Sequence, residues 1–362
     1  MFVAWRDLRF AKGRFALMGT VIVLITMLVG LLSGLTAGLG RQNVSAITGL
    51  PADMLAFGAP GGGEELSFSN STVSERQWQQ WAHTPGVDRA EPLGITTTRA
   101  TAGDRSTGVS AFGVQPGSAL APAGDTIDGH AAVLSVTAAE NLGVGPGDTL
   151  TLGGQQVSVA AVRGDASFSH TPVVWTSLGL WQRLAPPGGG ADEPAATVIA
   201  LDTSADADIR AADERAGTET VSKDDSLSAI GSYTSENGSL QLMRGFLFAI
   251  SALVIGAFFT VWTIQRSGDV AVLKALGAST ATLLTDALGQ AVVLLAGGTL
   301  LGTALAAGLG ALVAGAAVPF VLTPATVLVP AAVMIALGAL GAALAIRRIT
   351  SVDPLTALGS AR

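Results

Sequence analysis

The chain has 362 residues, of which 49% are hydrophobic and only 13% charged, with 46 glycines and no cysteine. Soluble domains carry about 25% charged residues, so a large share of this chain belongs in lipid. Without cysteine there are no disulfides, thiolate metal sites or cysteine nucleophiles. The formal net charge of −7 is unevenly divided: residues 41–241 hold 10 basic and 23 acidic side chains, a net of −13, and the remainder is +6.

Arg6, Arg9, Lys12 and Arg14 make residues 1–14 a basic strip, and Phe2, Trp5, Leu8, Ala11 and Phe15 share a rough helical stripe. This predicts a cytoplasmic amphipathic helix in the membrane surface, its bases toward anionic headgroups; simple topology anchoring fits the same residues. Residues 15–40 form the first transmembrane helix, because no charge occurs from Phe15 to Leu39 and a hydrocarbon core about 30 Å thick needs about 20 apolar residues. The run is too long for the apolar region of a signal peptide, about 7–15 residues. Gly30, Gly34 and Gly38 make a small-residue ridge in the outer half of this span. Such a ridge could pack against the second span of the same chain or against a partner protomer.

Residues 41–241 form a large domain and stalk of mixed α+β character. Strands are expected at 149–152, 157–162 and 173–175, short helices at 137–142 and 178–184, and a hairpin turn at Gly153–Gly154. His83, His130 and His170 are widely spaced and lack the i, i+4 arrangement of a zinc helix. Ser167, Ser169 and His170 lie together, but the Gly-x-Ser-x-Gly elbow of a serine hydrolase is missing. The three histidines read as ordinary surface residues, and the domain as one that couples or gates. No catalytic residue and no metal ligand is assigned.

Residues 242–264 form the second transmembrane helix, 265–281 a short cytoplasmic helix ending at Gly277, 282–318 the third transmembrane helix, 325–346 the fourth, and 347–362 a tail. The third apolar run is long for one crossing and reads as a tilted helix with a break near Gly308–Gly310 or Gly315. Basic flanks mark the cytoplasmic side. The basic strip before Phe15, then Arg266 and Lys274, then Arg347, Arg348 and Arg362 put both termini and residues 265–281 inside. The acidic domain then lies outside. The expected architecture is an α+β membrane protein: four transmembrane helices, with a large mixed α+β extracellular domain inserted between helices 1 and 2.

No Gly-x-x-x-x-Gly-Lys-Ser/Thr loop occurs, so the chain has no nucleotide-binding site of its own. In the 265–281 segment Val270, Leu273 and Leu276 fall on one helical face while Asp269 and Lys274 keep others wet. That helix either lies on lipid or inserts as a knob into an ATPase subunit. At the entrance to span two, helical spacing brings Tyr233, Glu236, Leu240, Met243 and Arg244 near one broad face. A phenolate, carboxylate or thioether can ligate iron and an arginine can pair with a carboxylate. An interfacial tyrosine and a snorkelling arginine account for the same residues.

The segment from Arg266 to Ser279, the C-terminal stretch from Arg347 to Leu358 and the stretch from Glu140 to Leu152 resemble MacB/FtsX-type ABC transporter permeases. The starts Met1–Phe15 and Gly34–Asn43 look most like the HrtB-like heme-exporter permeases of Gram-positive bacteria. The resemblance implies a homodimer in membrane lipid with two copies of a separate ABC ATPase subunit. ATP and Mg would be used only by that partner, the permease would transmit motion, and no intrinsic cofactor and no nucleic acid is expected. It further implies heme as the transported ligand. Leu31, Leu35, Met243 and Phe246 would line an apolar slot, Arg244 would supply the rim charge, and Tyr233 or Glu236 would stand as axial ligand, with Met243 as alternative. Asp269, Val270, Leu273, Lys274 and Leu276 would couple to the ATPase. The competing readings are an FtsX-like transducer controlling a cell-wall hydrolase, and an exporter of a lipopeptide, antibiotic or lipoprotein.

Overall fold

The computed structural model describes residues 12–62, 64–184, 194–265, 268, 272, 277, 279–313 and 318–350. The chain divides into two compact units: Leu39–Gly238, the inserted domain, and a membrane unit built from Met1–Gly38 with Ser239–Arg362.

Helix α1 (Lys12–Thr48) opens the fold and carries the 33-residue segment Ala16–Thr48, apolar enough to cross a membrane. At 1.5 Å per residue that segment is about 50 Å long against a hydrocarbon core of about 30 Å. Its turns from Leu39 onward belong to the inserted domain, where Ala46 and Ile47 are core residues.

The domain continues through β1 (Met54–Gly58), β2 (Val73–Ser74), α2 (Glu75–Ala82), β3 (Val87–Ala102), β4 (Arg105–Val114), β5 (Ala131–Leu134) and α3 (Val136–Leu142). It is completed by β6 (Thr149–Leu152), β7 (Gln155–Val162), β8 (Ser167–Phe168), β9 (Thr171–Ser177), α4 (Leu178–Leu184), β10 (Pro194–Ala196), β11 (Val198–Thr203), α5 (Ile209–Ala216) and β12 (Thr218–Ser222). Local chemistry sets the ends of the short helices. Ser74 and Gln77 form a capping box at α2, while Ser135 caps α3 and Gly143, at φ +68°, ends it in the left-handed conformation.

One mixed sheet runs β12-β1-β11-β3-β4-β9-β5-β7-β6, with β8 on β9. The pairs β4–β9 and β5–β7 are parallel. The 16-residue β3 organises it: Val87–Leu93 pairs β11, Gly94–Ala102 pairs β4, and Ala100–Thr101 also meets β6. Gly94 and Gly113 stand directly opposite each other, and a Cβ at either would overlap Trp181 of α4. The two missing side chains make the slot in which that buried indole lies. The core beside α1 is a chain of edge-to-face rings, Phe57–Phe68–Phe168–Phe112–Trp175, with centroids 4.9–5.6 Å apart.

Three more long helices follow: α6 (Tyr233–Gln265), α7 (Thr280–Val313) and α8 (Pro324–Thr350), each long and apolar enough to span a membrane. In lipid every backbone group must be satisfied internally, which is why charge-free runs of this length become helices. The third span is unbroken through Gly308 and Gly310 as far as Val313. Met18, Ile22 and Val29 of α1, Ile255, Phe259 and Trp262 of α6, Ala291 and Leu295 of α7, and Met334 and Ala342 of α8 make one buried cluster. Helix α7 meets α1 through glycines, because a Cβ at Gly298 would lie 2.7 Å from Ile22 and one at Gly302 2.6 Å from the Val23 carbonyl oxygen.

Within the chain, the glycine ridge of the first span meets the third span and the segment before α8 and not the second span. Gly30 faces Ala306 of α7, a Cβ at Gly34 would overlap the Phe320 ring, and a Cβ at Gly38 would overlap the Pro319 carbonyl. The ridge is occupied within the membrane unit by α7 and by the segment before α8. The Val321 N–H closes this contact by donating to the Gly34 carbonyl at 3.1 Å.

Candidate functional site

The clearest polar constellation lies in the inserted domain, where three segments distant in sequence converge on one carboxylate. The tight turn between β8 and β9 places Ser169 at φ +47° and His170 at φ +62°, a conformation more open to His than to branched residues. This turn is tied to the end of α1 at four points. Ser167 N–H donates to Ser45 Oγ at 2.9 Å, Ser45 Oγ donates to the Ser167 carbonyl at 3.3 Å, Ser169 N–H donates to the Asn43 carbonyl at 2.9 Å, and His170 N–H to the Gln42 carbonyl at 3.1 Å.

The anchored turn holds the imidazole against the first turn of α6. His170 Nε2 lies 2.7 Å from Glu236 Oε2, and Asn43 Nδ2 donates to the same oxygen at 3.0 Å. Asn43 is buried, whereas the His170 and Glu236 side chains are 35% and 40% exposed. The pair is therefore fixed from behind and open in front. A carboxylate only accepts hydrogen bonds, so Nε2 carries the proton that it shares with Glu236. Nδ1 has no hydrogen-bond partner among the described residues. The first turns of α6, through Gly238, belong to the inserted domain and not to the span proper. Burial acts to raise the Glu236 pKa, but hydrogen bonds from His170, Ser232 and Asn43 and the charge of His170 outweigh it, and the net shift is downward.

The sequence-derived residues separate into groups. Tyr233 packs half-buried against the hydrophobic core of the inserted domain, and its N–H donates to the Ile230 carbonyl at 2.9 Å as α6 begins. Glu236 is committed to His170 and Asn43. Sequence reading passed over His170 as a surface histidine, because nothing local ties it to a carboxylate 66 residues away. In the membrane unit, Met243 and Phe246 are 49% and 61% exposed, and Leu31 and Leu35 are half-buried. None of these four belongs to the buried cluster of the span bundle. Arg244 Nε is enclosed and has no hydrogen-bond partner among the described residues. Asp269, Val270, Leu273, Lys274 and Leu276 lie outside the described residues, as do residues 1–11 and 351–362; Gly277 has a positive φ, +94°.

Comparison with known proteins gives this architecture a family. Over its full length the chain is similar to a permease named for hemin transport, HrtB, of Staphylococcus haemolyticus, at 25% identity over 368 residues and 99% of both chains. It is also similar to an uncharacterized ABC transporter permease of Mycobacterium tuberculosis H37Rv, at 26% identity over 375 residues and 99% of both chains. Among solved structures, the periplasmic region of MacB from Actinobacillus actinomycetemcomitans aligns with 49% of this chain and 92% of its own at 13% identity, with a TM-score of 0.36. Residues 242–354 match the FtsX-like permease C-terminal family, and residues 15–219, more than half of the chain, match the MacB-like periplasmic core domain. The chain belongs to the MacB/FtsX-type ABC transporter permeases, a four-helix membrane protein with a mixed α+β domain inserted between its first two helices.

Proposed function

We propose that this permease expels heme from the outer membrane leaflet, working as a homodimer with two copies of a separate ABC ATPase and transmitting the motion that ATP hydrolysis generates there. The observation that carries the reading is the similarity, over 99% of both chains, to permeases named for hemin transport in two staphylococcal species. Chemistry within each unit supports it. In the inserted domain His170 offers a free Nδ1 beside a carboxylate that orients the ring, the arrangement that raises the basicity of a metal-ligating histidine. His170 therefore joins Glu236 and Tyr233 as a proposed iron ligand and is the first choice among them, because Tyr233 is packed into the domain core. In the membrane unit the enclosed, unpartnered Nε of Arg244 is a donor that a propionate would satisfy. Leu31, Leu35, Met243 and Phe246 are the proposed apolar contacts, with Met243 as an alternative thioether ligand.

The ATPase is engaged through Asp269, Val270, Leu273, Lys274 and Leu276, and the purified chain alone hydrolyses no ATP. Ferric heme titrated into the detergent-purified full chain is expected to give a saturable shift of the main heme absorbance band. A wild-type chain that produces no shift under oxidising or reducing conditions removes heme and leaves the permease assignment standing.

The orientation belongs to the same proposal. Basic flanks put both termini and the segment after the second span in the cytoplasm, and the acidic inserted domain outside. Single cysteines at Ser204 and Ser267 are expected to react with a membrane-impermeant thiol reagent from outside and only after permeabilisation, respectively. Reaction of both from the same side of intact cells would contradict the four-span arrangement.

A further inference from the structure

A small cavity inside the membrane unit is lined by Thr26 and Gly30 of α1, Thr303, Ala306 and Ala307 of α7, and residues of α8 and the segment before it that include Thr326 and Pro330. The space open to the centre of a water molecule is about 10 Å³, about what a single water requires if it also finds two to four polar partners.

Two observations supply such partners. Thr26 is only 3% exposed, and its hydroxyl has no hydrogen-bond partner among the described residues. Several hydroxyls of the bundle satisfy themselves on the carbonyl of the preceding turn, as Ser251 does on Leu247 at 2.6 Å, Thr260 on Gly256 at 2.8 Å and Thr36 on Ser33 at 3.1 Å. Thr26 does not. An enclosed hydroxyl left unpaired loses its hydration without a replacement and destabilises the fold. Independently, Pro330 lies inside α8. With no N–H, it withdraws the helical donor from the carbonyl of Thr326, the residue one turn earlier that lines the same cavity. The Thr326 hydroxyl cannot compensate, because it is engaged with the Val321 and Thr323 carbonyls. A neighbouring water is one of the known ways in which a proline-interrupted helix re-satisfies its backbone in a membrane.

We propose that this cavity is a binding site for one ordered water, which accepts from or donates to the Thr26 hydroxyl, donates to the Thr326 carbonyl and uses the Thr303 hydroxyl as its third partner. The water joins the first, third and fourth spans at Pro330, in the interior of α8. It takes the place of the helical hydrogen bond that Pro330 lacks, so α8 can bend there without exposing an unpaired carbonyl to lipid.

The test uses the full chain in detergent or nanodiscs. Radiolytic hydroxyl-radical labelling, which marks side chains beside bound water, is expected to modify the buried Pro330 in the wild type. Labelling is expected to fall several-fold in Thr26→Val and to persist in Thr26→Ser. In thermal unfolding, Thr26→Val is expected to lower the midpoint, and that loss is expected to shrink in a Pro330→Ala background, where the restored backbone N–H again donates to the Thr326 carbonyl. A wild-type Pro330 that stays unlabelled, or a Thr26→Val midpoint equal to or above the wild type, would show that the cavity is dry and overturn the proposal. Strictly additive effects of the two substitutions would equally overturn it, since a shared water makes them interact.

Discussion

Replacing Glu236 with alanine is expected to weaken heme binding by about 10–100-fold, the usual effect of removing a carboxylate that orients a metal-ligating histidine. Replacing His170 with alanine is expected to abolish the axial-ligand signature altogether. The contrast follows from the geometry: His170 keeps its four-point anchorage to α1 through its turn, so Glu236→Ala frees the ring without removing it. If Glu236→Ala instead erases the signature while His170→Ala spares it, the carboxylate is the ligand. If both variants titrate like the wild type, this constellation has no part in heme binding.

The same pair predicts an acid dependence. The Glu236 carboxyl is held below its ordinary value in the folded domain, so it contributes stability that is present above the usual glutamate range and lost as pH falls through the lowered folded value. Glu236→Gln is therefore expected to melt below the wild type at neutral pH and to converge with it on acidification. Two melting curves that stay parallel from neutral pH to the acid limb would show that the hydrogen bonds to Glu236 do not favour its ionised form.

Gly38→Val is expected to destabilise the membrane unit by about 3 kcal/mol, at the upper end of the usual 1–3 kcal/mol for overpacking. The Cβ of any residue at 38 would overlap the Pro319 carbonyl. Backbone lies on both sides of this contact, so no side-chain rotation relieves it. Moving Pro319 also withdraws Phe320, whose ring occupies the space left by Gly34 and Gly310, and breaks the Val321–Gly34 hydrogen bond. Gly40 is the internal control. It is on the same helix with nothing within 4 Å of its would-be Cβ, and Gly40→Ala is expected to be neutral or stabilising by up to about 1 kcal/mol. Thermal unfolding of the full chain in detergent decides between them, and a Gly38→Val midpoint equal to that of the wild type would show that the Pro319–Phe320 segment does not depend on this contact.

The strands at 149–152, 157–162 and 173–175 were legible because each is a short β-branched run bounded by turn residues. The Gly153–Gly154 turn likewise has both glycines at positive φ, +53° and +87°. The long β3–β4 hairpin was not legible. Residues 87–102 are interrupted by Pro92 and Gly94, and the strand is stabilised by pairing β11, β4 and β6 together instead of by its own pattern. The glycine ridge was visible as spacing, but spacing does not name the partner. The answer lay in Phe320, one aromatic residue nearly 300 positions away.

What the sequence alone determined is the membrane architecture: four apolar runs and the inserted acidic domain follow from where charges occur along the chain. Those are local, one-dimensional properties, set by the cost of placing charge in hydrocarbon. Only the tertiary structure decided that His170 meets Glu236 and Asn43, that Tyr233 turns into the domain core, and that Thr26 shares a cavity with Pro330. Each of these depends on which distant segments the packing of large apolar surfaces brings together, and a single side chain in a sequence carries no record of that.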